Sequence, residues 1–246
     1  MREEKQYTEG IAIEKGRFLT WLDNFWYHYK WHTIVAAFLL IVAVICIAQS
    51  CTKEKSDITV TYAGPVYLDG EKTANIRTVL SKELPRDSFG DGAVANALSY
   101  LIMSEEQIKE AEKEVNPDGS PVYIDRAFNV EQQETFDSLL ATDKSSILLL
   151  DPYLFNMLGG NADSKRLCDL SEILGYTPQG AVSRFGIRLG DTEIYNTNPV
   201  LQVLPADTVL CLHAKRYLQK EEDYQKEVEA FKAFAVLDTD GDKTEE

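Results

Sequence analysis

Residues 31–52 contain no Lys, Arg, Asp or Glu, and this uncharged stretch constrains the chain more than any other feature. An α-helix rises about 1.5 Å per residue and the hydrocarbon core of a bilayer is about 30 Å thick, so about 20 apolar residues can cross it. The stretch therefore predicts one transmembrane helix over residues 33–50, surrounded by the lipid bilayer. Aromatic residues just before it predict an interfacial belt that anchors the helix: Trp21, Trp26, Tyr27, Tyr29 and Trp31.

The orientation follows from the basic residues that flank the apolar stretch. Five Lys or Arg residues precede it, whereas only Lys53 and Lys55 follow it closely. Because cytoplasmic flanks carry the excess of basic residues, we expect a single-pass protein of the cell membrane with a cytoplasmic N-terminus. The expected parts are a tail with its aromatic collar (1–32), the helix (33–50), a stalk (51–56), an extracytoplasmic domain (57–237) and a polar tail (238–246).

Two alternatives to a permanent anchor stay open. A cleavable signal peptide has a short basic start, whereas the region before this apolar stretch is long and also carries acidic residues. A lipoprotein signal would place a lipid on Cys51, although Ala48 and Gln49 fit the usual motif poorly. Both alternatives also put the rest of the chain outside the membrane.

The formal net charge of −15 falls entirely after the apolar stretch, because residues 1–32 carry equal numbers of basic and acidic side chains. An acidic surface repels phosphate backbones, so we expect no nucleic-acid binding. The excess of acidic residues favours solubility, and attraction of cations or cationic peptides is the alternative.

Residues suited to catalysis or metal binding are scarce in the outer segment. Cys168 and Cys211 either form a disulfide or remain two buried free thiols. No CxxC or Cys/His cluster is present, and no metal or cofactor is expected. His213 is the only histidine there and no GxSxG motif accompanies it, so we do not expect an enzyme. Residues 238–242, DTDGD, resemble the start of a calcium loop but lack its spacing, which favours a solvated tail.

Apolar periodicity predicts the secondary structure of the outer segment. The run SILLL at residues 146–150 indicates a strand covered on both faces, as in a parallel sheet. Other strands are expected over residues 57–63, 121–125, 185–189, 201–205 and 208–213. Helices are expected over residues 71–84, 93–115 (one or two), 130–142, 153–158 and 221–237.

The order strand, helix, strand, helix, apolar strand is typical of right-handed parallel α/β sheets. The stretches ITVTYAG, TANIRTVLSKEL, PVYIDR, EQQETFDSLLATD and SSILLLDPYLFNMLGG resemble the N-terminal lobe of type II extracellular solute-binding proteins. The chain also resembles a group of single-pass membrane proteins of anaerobic Gram-positive bacteria with no known activity, which share a WYHYKWH collar and GIRLGDT, here at residues 186–192. These resemblances imply an extracytoplasmic α/β domain with a mostly parallel sheet, similar to one solute-binding lobe.

The outer segment is shorter than the family pattern requires. Complete binding proteins of this family close two lobes over the ligand, and the residues left after the first lobe are too few for a second. Either the second lobe is reduced to residues 185–237, or the chain has one lobe alone.

A general rule for open parallel sheets selects the candidate site, because ligands lie beyond the carboxyl ends of the strands. Asp151 also has a structural interpretation, since Asp followed by Pro is a favourable helix start. The candidate ligand-binding residues are Tyr62, Gly64, Arg126, Asp151 and Tyr153.

Two functions remain open from the sequence. In the first, the chain is a membrane-anchored binding module that presents a small solute or peptide to a membrane transporter. In the second, it has no ligand and serves as an interaction subunit of a membrane complex, which would require an exposed apolar patch.

Overall fold

The computed structural model describes residues 17–52, 56–142, 145–178 and 180–237. It divides into two compact units, Met1–Glu54 and Lys55–Glu246. The first sixteen residues of the expected cytoplasmic tail, residues 53–55 of the stalk and the polar tail with its calcium-like sequence lie outside the described residues.

The first unit contains the helix α1 (Arg17–Thr52). Its 36 residues would extend about 54 Å, and no Gly or Pro interrupts them. The segment Phe25–Cys46 is apolar and long enough to cross a membrane, and the described part of the chain holds one such helix. A helix with these properties suits either a membrane anchor or a signal sequence.

The aromatic collar belongs to this helix and does not precede it as a separate segment. Trp21 stacks on Phe25 with ring centroids 5.5 Å apart, and Phe25 stacks on Tyr29 at 5.3 Å. Residues four apart lie on one face of a helix, so the rings form a ladder along α1. The five predicted belt residues are all exposed within this unit.

The second unit is built on one six-stranded sheet with the order β2-β1-β3-β6-β5-β4. β1 runs parallel to β2 and β3, whereas β6 is antiparallel to β3 and β5, and β4 is antiparallel to β5. The strands are β1 (Ile58–Gly64), β2 (Ala95–Leu101), β3 (Ile147–Leu150), β4 (Ala181–Ser183), β5 (Gly186–Arg188) and β6 (Val209–Leu212).

The expectation of a mostly parallel sheet is therefore wrong, because the sheet is mixed. Only two residues separate β4 from β5, and so short a connection permits antiparallel pairing alone. The parallel arrangement is confined to β1, β2 and β3, and the other three strand pairs are antiparallel.

Helices cover both faces of the sheet. Two 3-10 turns, Leu189–Asp191 and Leu201–Val203, lie between β5 and β6. The helices of this unit are α2 (Gly70–Lys82), α3 (Arg86–Phe89), α4 (Glu105–Ala111), α5 (Arg126–Ala141), α6 (Pro152–Met157), α7 (Leu170–Leu174), α8 (Glu193–Thr197) and α9 (Glu221–Phe234).

Each face of the sheet has its own apolar core, and β3 contributes to both. Ile147 and Leu149 belong to the cluster that includes residues of α2 and α9, while Leu148 and Leu150 belong to the cluster that includes residues of α5 and α6. All four side chains are buried. The prediction of a strand covered on both faces is confirmed.

The predicted helices over residues 93–115 are wrong in their first half, which forms β2. The apolar spacing of AVANALSYL fits one face of a helix, but it fits the alternation of a strand as well. Seven consecutive residues from Ala95 pair with β1, so backbone pairing at the sheet edge decides the conformation. Only α4 forms as a helix from the second half.

Two predicted strands do not form. Residues 121–125 are irregular and Tyr123 is 84% exposed, because β2 already occupies the edge beside β1. Residues 201–203 form a 3-10 turn, and Leu201 and the following Leu204 are buried. Conversely β4 forms where the sequence predicted no strand.

Cys168 and Cys211 are buried free thiols, so the alternative of a disulfide does not hold. Cys168 lies in one core cluster and Cys211 in the other, on opposite faces of the sheet. A disulfide requires Cβ atoms that face each other, which this placement excludes.

Candidate functional site

The carboxyl ends of β1 and β3 meet at one edge of the sheet, as expected for two parallel neighbours. The backbone N–H of Asp151 donates to the carbonyl of Ala63 at 2.9 Å, which joins the two strand ends. The Asp151 side chain accepts a hydrogen bond from the Tyr153 backbone N–H at 2.8 Å, and Pro152 is the first residue of α6. The structural interpretation of Asp151 as a helix cap is confirmed.

A second hydrogen bond ties Asp151 to a residue that the sequence did not select. Gln107 Nε2 donates to Asp151 Oδ2 at 3.0 Å, and Gln107 also forms a capping box with Ser104 at the start of α4. Ser104 followed three residues later by Gln107 is a sequence pattern typical of a helix start. The hydrogen bond from Gln107 to Asp151 could not be predicted from neighbouring residues, because Asp151 lies 44 residues further along the chain.

Tyr62 and Gly64 pack against Asp151. A Cβ atom added to Gly64 would lie 2.6 Å from the Tyr62 hydroxyl and 3.3 Å from the Asp151 Cβ. The Tyr62 hydroxyl accepts a hydrogen bond from the Val66 N–H, and burial raises the pKa of Tyr62 to about 12, helped by the negative charges of Asp151 and Asp207. Burial also raises the pKa of Asp151.

This strand-end cluster is buried. Tyr62 is 3% exposed and Asp151 is 6% exposed. Tyr62, Asp151 and Gln107 form hydrogen bonds with groups of the protein itself. The arrangement therefore stabilises the junction of β1, β3 and α4, and it offers a ligand little room.

The other two predicted site residues are placed differently. Arg126 does not follow a strand, and its guanidinium pairs with Glu105 at 2.8 Å and with Glu112 at 3.0 Å on α4. Tyr153 is 37% exposed on α6 and meets the cluster through its backbone N–H. The structure thus brings Tyr62, Gly64 and Asp151 together, with Tyr153 adjoining them.

A more open pocket of about 340 Å³ lies between α5 and α6. α5 contributes three residues with the spacing i, i+3, i+4, and α6 with its C-cap Leu158 contributes three with the same spacing, which places each set on one face. The floor includes Phe136 and Leu154, which are 2% and 3% exposed. The lining residues are Gln133, Phe136, Asp137, Leu154, Met157, Leu158, Lys165 and Arg166.

The rim of this pocket is polar and carries both signs of charge. Lys165 and Arg166 lie in the segment after α6, where the Arg166 carbonyl accepts a hydrogen bond from the Ala214 N–H at 2.7 Å. Asp137 and Gln133 contribute the polar residues of α5. Sequence reasoning missed this pocket. The residue pattern of each helix shows which face is apolar, but it does not show that α5 and α6 pack side by side.

The described residues contain no group of three or more His, Cys, Asp or Glu side chains arranged to hold a metal ion. His213 is 8% exposed, and its Nδ1 is 2.8 Å from the carbonyl oxygen of Ala214. The α5–α6 pocket offers apolar and charged side chains for binding.

Comparisons with known proteins found no matching family model, no matching curated protein and no matching solved structure.

Proposed function

We propose that the chain is a membrane-anchored extracytoplasmic binding module, with α1 in the lipid bilayer and the second unit binding a small solute or peptide. A membrane transporter is the partner that would receive this ligand. The observation that carries the proposal is the α5–α6 pocket, whose volume of about 340 Å³ lies in the usual range for small-molecule sites. The resemblance to one lobe of type II solute-binding proteins supports a role in binding.

The proposed binding position differs from the one that the sequence suggested. Asp151 and Tyr62 are engaged in hydrogen bonds within the strand-end cluster. The α5–α6 pocket instead combines a buried apolar floor with a charged rim, the usual composition of a ligand site. We therefore assign ligand binding to the pocket and a structural role to the cluster.

Thermal unfolding of the full chain in detergent tests this function against a library of sugars, amino acids, short peptides and metal ions. A ligand that binds only the folded state adds about 2.7 kcal/mol of stability at a hundredfold excess over its Kd. The variant Met157→Trp should fill the pocket without disturbing the core, because Met157 is 55% exposed. We expect a ligand-dependent rise of the midpoint in the wild type and none in Met157→Trp. A rise of equal size in both would place the ligand elsewhere.

An interaction subunit remains the second candidate, favoured by the loop of residues 214–220. Tyr217 is 100% exposed and Leu218 is 89% exposed at its tip. Arg216 forms an ion pair with Glu227 of α9, and Ser146 donates a hydrogen bond to the same carboxylate at 2.7 Å. Tyrosine is enriched among the residues that dominate binding at protein interfaces, so a well-anchored loop that exposes Tyr217 is a candidate protein-binding surface.

Cross-linking in native membranes tests this second function. We expect a specific cross-linked partner for the wild type and its loss in the double variant Tyr217→Ser/Leu218→Ser. The matched control is Tyr123→Ser, because Tyr123 is 84% exposed on a different segment. Cross-linking that is unchanged by the double variant would exclude this loop as the contact.

A further inference from the structure

The ligand class can be read from the α5–α6 pocket, on the condition that the proposed binding function holds. Its floor is formed by apolar side chains, of which Phe136 and Leu154 are buried and Met157 lies at the opening. Such a surface gains free energy by covering an apolar group, and the volume of about 340 Å³ suits one small molecule. The body of the ligand should therefore be apolar.

The charged rim is uncommitted within the described residues. Lys165 and Arg166 form no ion pair there, and neither does Asp137 on α5, although ion pairs of up to 3.9 Å occur elsewhere in this unit. The chain carries a formal net charge of −15, so two adjacent basic side chains without an ion pair among the described residues are unusual for its surface. Cations of this kind bind carboxylates, with Arg suited to two parallel hydrogen bonds.

Asp137 restricts the ligand further. A carboxylate on the same rim repels dianions such as phosphate esters and attracts an ammonium group. A free α-amino acid with an apolar side chain carries the ammonium, the carboxylate and that side chain on one carbon atom. A residue within a peptide lacks both charges, and a terminal residue lacks one of them.

We infer that the α5–α6 pocket binds a free α-amino acid with an apolar side chain. The carboxylate lies against Lys165 and Arg166, the ammonium lies against Asp137, and the side chain covers the floor at Phe136 and Leu154. Binding neutralises charges of both signs at the rim and removes apolar surface from water.

Calorimetric titration of the full chain in detergent tests the inference with three matched probes. L-phenylalanine carries both charges, 3-phenylpropanoate lacks the ammonium, and phenethylamine lacks the carboxylate. We expect L-phenylalanine to bind at least tenfold more tightly than either analogue. Equal affinity for all three probes would overturn the inference.

Variants of the charged rim residues test which residue binds the carboxylate of the ligand and which binds its ammonium group. Lys165→Gln/Arg166→Gln should weaken L-phenylalanine and 3-phenylpropanoate at least tenfold and leave phenethylamine unchanged. Asp137→Asn should weaken L-phenylalanine and phenethylamine and leave 3-phenylpropanoate unchanged. The matched controls, Lys109→Gln and Glu106→Gln, alter exposed charges on α4 outside the pocket and should change nothing. Loss of affinity in these controls would show a general charge effect and overturn the assignment.

The ligand library and the amino-acid titrations together distinguish failure of this inference from failure of the proposed binding function. If no amino acid binds while another library compound binds in a way that Met157→Trp abolishes, the ligand class is wrong and the binding function stands. If tripeptides with a Phe terminus bind as tightly as L-phenylalanine, the ligand is a peptide end and the inference also fails. If no compound binds, the proposed function fails with it.

Discussion

Gln107 Nε2 donates a hydrogen bond to Asp151 Oδ2 at 3.0 Å, which links the start of α4 to the end of β3. Both residues also cap their own helices, Gln107 through the capping box with Ser104 and Asp151 through the Tyr153 N–H. Two helix starts are thus stabilised by one shared contact. Because Asp151 is buried, the loss of either partner leaves a polar group without its bond.

The two substitutions Gln107→Ala and Asp151→Ala should be coupled. Each removes a helix cap, which costs about 1 kcal/mol, and each also breaks the shared bond. We expect the double variant to be less destabilised than the sum of the single variants by about 0.5–1.5 kcal/mol. Urea unfolding of the full chain in detergent measures this double-mutant cycle. Strict additivity would mean that the bond contributes nothing.

The raised pKa of the buried Asp151 carboxyl should make the stability of the protein depend on pH. Burial outweighs the two hydrogen bonds and raises the pKa of Asp151 above its usual 3.8, so the folded state retains a proton that the unfolded chain releases. The stability from this proton is complete below the unfolded pKa and is lost as pH rises through the folded pKa. We expect the free energy of unfolding of the wild type, relative to Asp151→Asn, to fall as pH rises from below 3.8.

Asp169 should show the opposite sign and serves as the control. Hydrogen bonds from Ser171 lower the pKa of Asp169 below 3.8. Its contribution is therefore present above the unfolded pKa and is lost as pH falls through the folded one. Stability relative to Asp169→Asn should rise with pH over the acid range. Curves of the same sign for both variants would contradict the two assigned pKa directions.

Gly64→Ala should destabilise the strand-end cluster. The added Cβ would lie 2.6 Å from the buried Tyr62 hydroxyl, so Tyr62 or the backbone must shift. We expect a loss of about 1–3 kcal/mol, typical of overpacked cores. Gly70→Ala is the matched control, because nothing lies within 4 Å of its added Cβ and it begins α2. That change should be neutral or stabilising by up to about 1 kcal/mol in the same urea titration.

Arg216→Met should destabilise the second unit more than most surface changes. Glu227 is 7% exposed, and the variant leaves its carboxylate with the Ser146 hydroxyl as a remaining donor. Breaking a buried ion pair from one side costs about 3–5 kcal/mol. The double variant Arg216→Met/Glu227→Leu should recover most of this loss. A double variant no more stable than Arg216→Met would contradict the buried-charge explanation.

The mass of the chain extracted from membranes should decide between anchor and signal sequence. If α1 is a permanent anchor, the mass shows that the extracted protein retains α1, and Leu39→Arg in the apolar segment should reduce membrane insertion. Arg at the centre of such a helix costs about 2.5–3.5 kcal/mol. Leu39→Ile, which keeps the same position apolar, is the control. A mature chain that begins at or after Cys51 would establish cleavage instead.

Four of the five predicted site residues lie at or beside the strand-end cluster, because a helix-start pattern and the expected pairing of two strands located them. The Asp151-Pro152 pair marks a helix start in any context, and parallel pairing of β1 with β3 brings Tyr62 and Gly64 beside it. Arg126 was misplaced because residues 121–125 do not pair with the sheet. The α5–α6 pocket was missed because its two faces come from different helices, and nothing local to either helix indicates that they pack together.

The sequence by itself determined the features that depend on neighbouring residues. The apolar helix within α1, the doubly buried strand β3, the helix α9 and the cap at Asp151 each follow from periodicity, composition or a local hydrogen bond. The tertiary structure alone decided the direction of β6 beside β3, the strand conformation of β2 and the partner of Gln107. Each of these features depends on contacts between residues that are far apart in the chain. Such contacts form only when the chain packs, so no pattern of neighbouring residues indicates them.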